Sequence, residues 1–382
     1  MGNTINILPI LYDENSNPHF TPIKDFNKRE WLSGNNYWFK MLEEFLNITF
    51  NYSETDTNLF ILYNGQSEKF VTQSEYFRNA KKLLDEGVYN KVIVFQNEVN
   101  WDTFERILDV EDFFYDIFKF DKRFVFVRNI FNSRFAFTKI NAEFGFGCFP
   151  FQLIHNFRQT EGIDYNVEKK FHMFSANCNV KEDRLHLYSM LEKGNHWEKC
   201  NTSFFLPLLG SNTKKFNPSE YVSNLGTLDL GINYIPKKLK YDNDFEVKNL
   251  ALKDSLESLF QVIFETRYHS HCGIVLSEKL FKGFLYKTPF IVFGQHGILK
   301  TLREKGFYTF DWLIDESYDD EINDKKRLKM VLDEIERLLN TPFSEIEDKI
   351  KEHQYELDWN RERVRIFAEI HIDNIINLFD VK

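Results

Sequence analysis

Pro289 to Phe293 reads PFIVF, an unbroken apolar run closed by Gly294, and no other feature constrains the fold of this chain as much. Such a run predicts a strand covered on both faces, which is the situation of a strand inside a parallel sheet flanked by helices. The residues ahead of it supply the rest of the unit. Val262 to Phe264 end an earlier apolar strand, and Glu265, Thr266 and Arg267 are polar where that strand runs out. After Gly273 and the apolar Ile274-Val275-Leu276, Ser277 stands as an N-cap before Glu278, Lys279, Leu280, Phe281, Phe284 and Leu285, whose apolar members recur at helical spacing. Strand, loop, helix and strand in that order place a ligand at the carboxyl ends of the strands and at the helix N-terminus.

A lysine in the first turn of a helix, beside exposed amides, suits an anion, and Lys279 is expected to meet a diphosphate. Glu278 would hydrogen-bond ribose hydroxyls. The plainer reading is that Glu278 and Lys279 are solvated first-turn residues. A second segment repeats the logic upstream: FHMFSANCNVKEDRLHLYSML, Phe171 to Leu191, is a short apolar run ending at Ser175-Ala176-Asn177, followed by turn residues and a helix. Arg184, Leu187, Tyr188 and Leu191 share one face of that helix, and a guanidinium there can fork onto phosphate oxygens. The alternative is an arginine paired with Asp183 or Glu182 on a solvated helix. In the first half, KVIVFQNEVNW from Lys91 to Trp101 gives a strand over 92–95 that ends at Gln96, Asn97 and Glu98.

These segments carry a resemblance. ETRYHSHCGIVLSEKLFKGFLYKTPFIVFG resembles the donor-binding signature of the alpha-1,3-fucosyltransferases, and similar stretches occur in glycosyltransferase-like proteins of phages and large viruses, often followed by a segment like GFYTFDWLIDESYDD, here Gly306 to Asp320. Phe171 to Leu191 resembles a second segment of that family, in which an arginine contacts the donor diphosphate; the role would fall to Arg184. Glu98 would correspond to the family's general base, although Gln96 replaces the usual glycine and the acid and amide stand in reversed order. The resemblance implies a GT-B-type architecture: two Rossmann-like α/β domains with a long C-terminal helix crossing back to the first. It also implies transfer of a sugar from a nucleotide-diphosphate donor, GDP-fucose-like or UDP-linked, to a hydroxyl acceptor such as a glycan, without a metal and with inversion. Arg184, Lys279, Glu278, Asn177 and Ser277 would hold the donor, Glu265 its sugar, and Glu98 would deprotonate the acceptor.

With 382 residues the chain has room for two domains. Strands are expected over 4–10, 59–63, 92–95 and 123–128 with helices around 36–46, 74–86 and 101–118, forming an acceptor-side domain of residues 1–164 whose stretch from Asn129 to Asp164 is a connection. The donor-binding domain, 165–355, has strands near 171–175, 204–209, 226–230, 260–264 and 290–293, turn-rich residues from Gly210 to Asp244, and an amphipathic helix with apolar positions from 328 to 339. A helix over 344–379, bent near Asp358, returns its 356–382 part to the first domain.

A hydrophobic content of 43% with 17% aromatics supports full cores and excludes a disordered or fibrous chain. The net charge of −10 argues against broad electrostatic binding of nucleic acid without excluding a local basic cleft, which phage-type transfer to hydroxymethylated DNA bases would need. The clusters Lys237-Lys238-Lys240 and Lys325-Lys326-Arg327 read as solvated faces. Cys148, Cys178, Cys200 and Cys272 have no paired spacing and read as reduced thiols. His269-Ser270-His271-Cys272 is too compressed to converge on a metal. No apolar run is long enough to span a bilayer and the start lacks a signal-peptide pattern, so a cytoplasmic location is expected, that of the host if the protein is viral. A non-catalytic nucleotide- or sugar-binding protein remains the reading from another functional class.

Overall fold

The computed structural model describes residues 4–13, 17–22, 49–54, 57–64, 74–96, 112–128, 142–144, 150–177, 182–204, 252–265, 268, 274 and 276–377, some of them as backbone only. The chain divides into two compact units, Met1–His155 with His271–Ser277 and Ile366–Lys382, and Asn156–Ser270 with Glu278–Arg365.

In the first unit, strands β1 (Thr4–Asp13), β2 (Asn17–Pro22), β3 (Thr49–Tyr52), β4 (Thr57–Asn64), β5 (Tyr89–Gln96), β6 (Phe124–Arg128) and β7 (Ala142–Phe144) form one sheet of order β2-β1-β4-β5-β6-β7, with β3 also paired to β1. Among the described residues only the β1–β2 pairing is antiparallel. Consecutive residues Leu59, Phe60 and Ile61, and again Val92, Ile93 and Val94, are buried, so both faces of the central strands are covered. Helix α1 (Ser74–Asp85) turns Phe77, Ala80 and Leu84 inward from one stripe. The chain turns off past its end at Gly87, whose φ of +77° is open to glycine without strain. Residues 112–118 are helical and bring in Phe114, whose ring centroid lies 5.1 Å from Phe77, 5.0 Å from Phe124 and 4.9 Å from Phe126.

The second unit holds a sheet of β8 (Phe171–Asn177), β9 (Cys200–Phe204), β10 (Ser258–Phe264) and β11 (Phe290–Phe293), ordered β11-β10-β8-β9 and parallel throughout among the described residues. Every residue of β10 and β11 is buried, as the PFIVF run predicts. Helix α2 (Pro150–Gln159) precedes β8, α3 (Glu182–Lys193) follows it, and α4 (Glu278–Leu285) leads into β11. Below α4, Phe284 stacks on Phe307 at 4.6 Å, and Phe290 meets Phe310 at 4.9 Å. Helices α5 (Ile298–Glu304), α6 (Asp324–Asn340), α7 (Phe343–Glu352) and α8 (Gln354–Asn377) complete the described chain. Asn360 of α8 is fully buried and pairs with the backbone of Tyr308, accepting from its N–H at 2.8 Å and donating to its carbonyl at 2.9 Å.

Several local expectations need correction. The connection drawn from Asn129 to Asp164 contains a sheet strand, β7, and a helix, α2. Of the strand expected over 204–209, Phe204 ends the strand β9, which begins at Cys200, and 205–209 lie outside the described residues. The C-terminal break falls at His353 rather than near Asp358, because the His353 ring stacks on Trp312 at 4.3 Å with the planes 2° apart and fixes the corner between α7 and α8. The expected helix at 36–46, the strand at 226–230 and the turn-rich 210–244 lie outside the described residues.

Candidate functional site

From β8 the chain moves outward to β9, then returns across β8 to lay down β10 and continues away to β11. The direction of strand addition therefore reverses between β8 and β10. At such a switch point the loops leaving two neighbouring parallel strands part in opposite directions and leave a crevice beyond their carboxyl ends. Among the described residues, Asn177 at the end of β8 and Glu265 just past β10 stand at those ends.

Asn177 closes β8 and is buried; its Nδ2 donates to Ser175 Oγ at 3.0 Å, and that hydroxyl donates to Val262 O of β10 at 3.0 Å. The pair of bonds fixes the edge at which β8 gives way to α3. In the first turn of α3, Arg184 is 4% exposed and its Nη2 donates to Phe264 O, the last residue of β10, at 3.4 Å. The solvated-helix alternative for Arg184 does not hold: Asp183 through Ser189 are all buried, because α3 packs around its whole circumference in these turns. Burial also pushes the His186 imidazole down to about 4, with Lys193 adding to the effect.

Beyond β10, Glu265 is 3% exposed. Its N–H donates to Phe293 O at 2.9 Å, which carries the ladder one residue past the strand, and its carboxylate lies 3.8 Å from Lys279 Nζ in the first turn of α4. Gly294 packs beside Glu265: a Cβ there would meet Glu265 Cγ in ordinary contact at 3.4 Å and crowd only the end of Ile298, Cδ1, at 2.9 Å. Arg184, Glu265 and Lys279 thus come together around the end of β10. Ser277, buried, directly precedes α4. Glu278 is the first residue of α4, with its side chain outside the described residues, and Glu98 lies outside them altogether.

The helix after β11 is closed to ligands. Asp319 is 2% exposed and its two carboxylate oxygens accept from the N–H groups of Leu299 at 3.1 Å and Lys300 at 3.0 Å, capping α5. Burial raises the Asp319 carboxyl above its ordinary value against the lowering effect of these two amides. An anion at this edge is left with the first turns of α3 and α4, where Arg184 and Lys279 stand.

Arg327 belongs to this region although the sequence pattern does not single it out. The solvated-face reading of Lys325-Lys326-Arg327 fails for Arg327, which is 1% exposed. A signal is present: 327, 331, 334 and 338 are one buried stripe of α6, and Arg327 occupies its first position. Asp319 is likewise legible in the sequence only as part of an acidic stretch.

Among the described residues no group of His, Cys, Asp and Glu is placed to hold a metal ion, and no helix is long and apolar enough to cross a membrane. Cys200 carries a free thiol that burial pushes up to about 12.

Fold and site define a two-unit α/β protein with a cation-bearing crevice at the switch point of a parallel sheet. No protein-family model and no curated protein matches the sequence. Among solved structures, the DNA-modifying enzyme β-glucosyltransferase shares 9% identity at a TM-score of 0.45, over 99% of this chain and 100% of that one. An α1,3-fucosyltransferase shares 9% at 0.41, over 97% and 91%, and the α,α-trehalose 6-phosphate synthase of Burkholderia multivorans 13% at 0.43, over 84% and 71%. A likeness at scores this low has no bearing on the role of any residue.

Proposed function

We propose that the protein is a glycosyltransferase that moves a sugar from a nucleoside-diphosphate donor to a hydroxyl acceptor, a glycan, with inversion and without a metal ion. The observation that carries the reading is the meeting of Arg184, Glu265 and Lys279 at the carboxyl end of β10, within 3.4 Å of Phe264 O for Arg184 and 3.8 Å between Glu265 and Lys279. The acceptor oxygen attacks the anomeric carbon as the bond from that carbon to the β-phosphate oxygen breaks. The nucleoside diphosphate leaves with the electron pair, and the acceptor proton passes to a carboxylate, assigned to Glu98. Negative charge builds on the leaving diphosphate in the transition state, and fixed cations there lower the barrier most. Arg184 and Lys279 take that role, with Asn177 and Ser277 assigned to the same donor. Glu278 is assigned to the ribose and Glu265 to the donor sugar. Two protein cations at the diphosphate do the work that a divalent ion does elsewhere.

A thermal-shift panel of GDP, UDP, ADP, CMP and dTDP, with and without Mg²⁺, tests the reading, since a ligand selective for the native state raises its stability. A metal-independent shift with one diphosphate is expected, weakened about tenfold in apparent affinity by Lys279→Ala as a charge-assisted phosphate contact is lost. Equal response of wild type and Lys279→Ala to every nucleotide would remove the diphosphate assignment.

A further inference from the structure

Arg327 engages every N–H of its guanidinium. Nε donates to Gly294 O at 3.0 Å, Nη1 to Glu321 O at 2.8 Å and Ile322 O at 3.4 Å, and Nη2 to Tyr268 O and Asp324 Oδ1, both at 2.6 Å. A guanidinium is costly to bury, and only a complete set of partners makes the site tolerable. Here the partners come from separate segments: the chain leaving β10, the chain leaving β11, and the corner ahead of α6. The guanidinium also lies 5.7 Å from the centroid of the Phe293 ring, on which the Tyr268 ring packs at 5.0 Å.

Glu265 sits inside this bracket. Its N–H is bonded to Phe293 O and its Cγ borders Gly294, while the chain beyond it is tied at Tyr268 O. Arg327 holds Gly294 and Tyr268 at once, so it sets the separation of the chain leaving β10, which carries Glu265, from the chain leaving β11. We infer that Arg327 is a positioning residue for the Glu265–Lys279 pair, and through it for the cation that meets the donor diphosphate. The second clause rests on the proposed function; the first does not. Lysine in this place keeps the charge but loses the fork that spans the two segments.

The test reads Lys279 directly by amine acylation and mass spectrometry of the full chain, with Glu265→Gln, Arg327→Lys and Asp324→Ala. An ammonium beside a carboxylate reacts slowly, so Glu265→Gln is expected to speed labelling of Lys279 about fivefold and Arg327→Lys to come within about twofold of it. Asp324→Ala, which removes a single partner of Arg327 at the start of a helix, shifts Lys279 in the same direction by less and covers the case in which Arg327→Lys does not fold. Lys169 is the internal control. Its Nζ donates to Leu256 O at 2.8 Å and Ser258 O at 3.1 Å, at the other end of β10, and general loosening of the sheet would raise its labelling too. Selective acceleration of Lys279 supports the inference; unchanged Lys279, or equal acceleration of Lys169, overturns it. Calorimetry with GDP and UDP separates the two readings. Lys279→Ala is expected to cost about tenfold in wild type and less than about threefold on the Arg327→Lys background, the non-additivity of coupled residues. Absence of diphosphate binding by the wild type would sink the proposed function while the labelling still decided the clamp.

Discussion

His186→Gln is expected to flatten the acid limb of the stability curve. The imidazole lies in α3 at 6% exposure and burial, with Lys193, moves it from 6.5 to about 4. Its folded value is depressed, so its contribution is fully present above 6.5, where the unfolded chain is also neutral, and is lost as pH falls toward 4. At about 1.4 kcal/mol per pH unit, the whole loss comes to about 3 kcal/mol. About 2 kcal/mol of it develops between pH 7 and pH 5. Glutamine stays neutral over this range, and the remaining titrating groups are common to both proteins. The difference between variant and wild type therefore isolates this one side chain. Urea unfolding followed by tryptophan fluorescence suits the measurement, because the Trp197 ring lies 4.7 Å from Tyr188 of the same helix as His186. Between pH 7 and pH 5 the wild type should lose about 2 kcal/mol more than His186→Gln. Parallel curves, with a constant offset between the two proteins, would refute the claim that α3 buries a neutral histidine.

Packing and capping set two further outcomes. Asp319→Ala should cost about 1–2 kcal/mol and lower Tm, as the N-terminal amides of α5 lose their acceptor; a change within error would mean that the cap is dispensable. Phe114→Ala, at the centre of the first unit's aromatic cluster, should cost about 3–5 kcal/mol by chemical denaturation. A loss below about 1 kcal/mol would show that the rings around it collapse into the space.

The sequence determined the elements whose physics is local. PFIVF is a strand because a short, uninterrupted apolar run has no polar face to show to water, and β11 begins at Phe290 and ends at Phe293 as that run dictates. The helix from Glu278 and the strand ending at Asn177 were legible for the same kind of reason, as were Arg184 and Lys279 in the first turns of their helices. Tertiary structure decided what contact makes. No periodicity says that β10 lies beside β8, and that adjacency alone brings Arg184, Glu265 and Lys279 to one edge. Nor does charge patterning say that Asp319 closes α5 or that Arg327 leaves a basic cluster for the core. Each of these side chains is polar by residue type and buried by its partners. A buried charge is stable only where distant segments supply its hydrogen bonds, and those segments meet only in the folded chain.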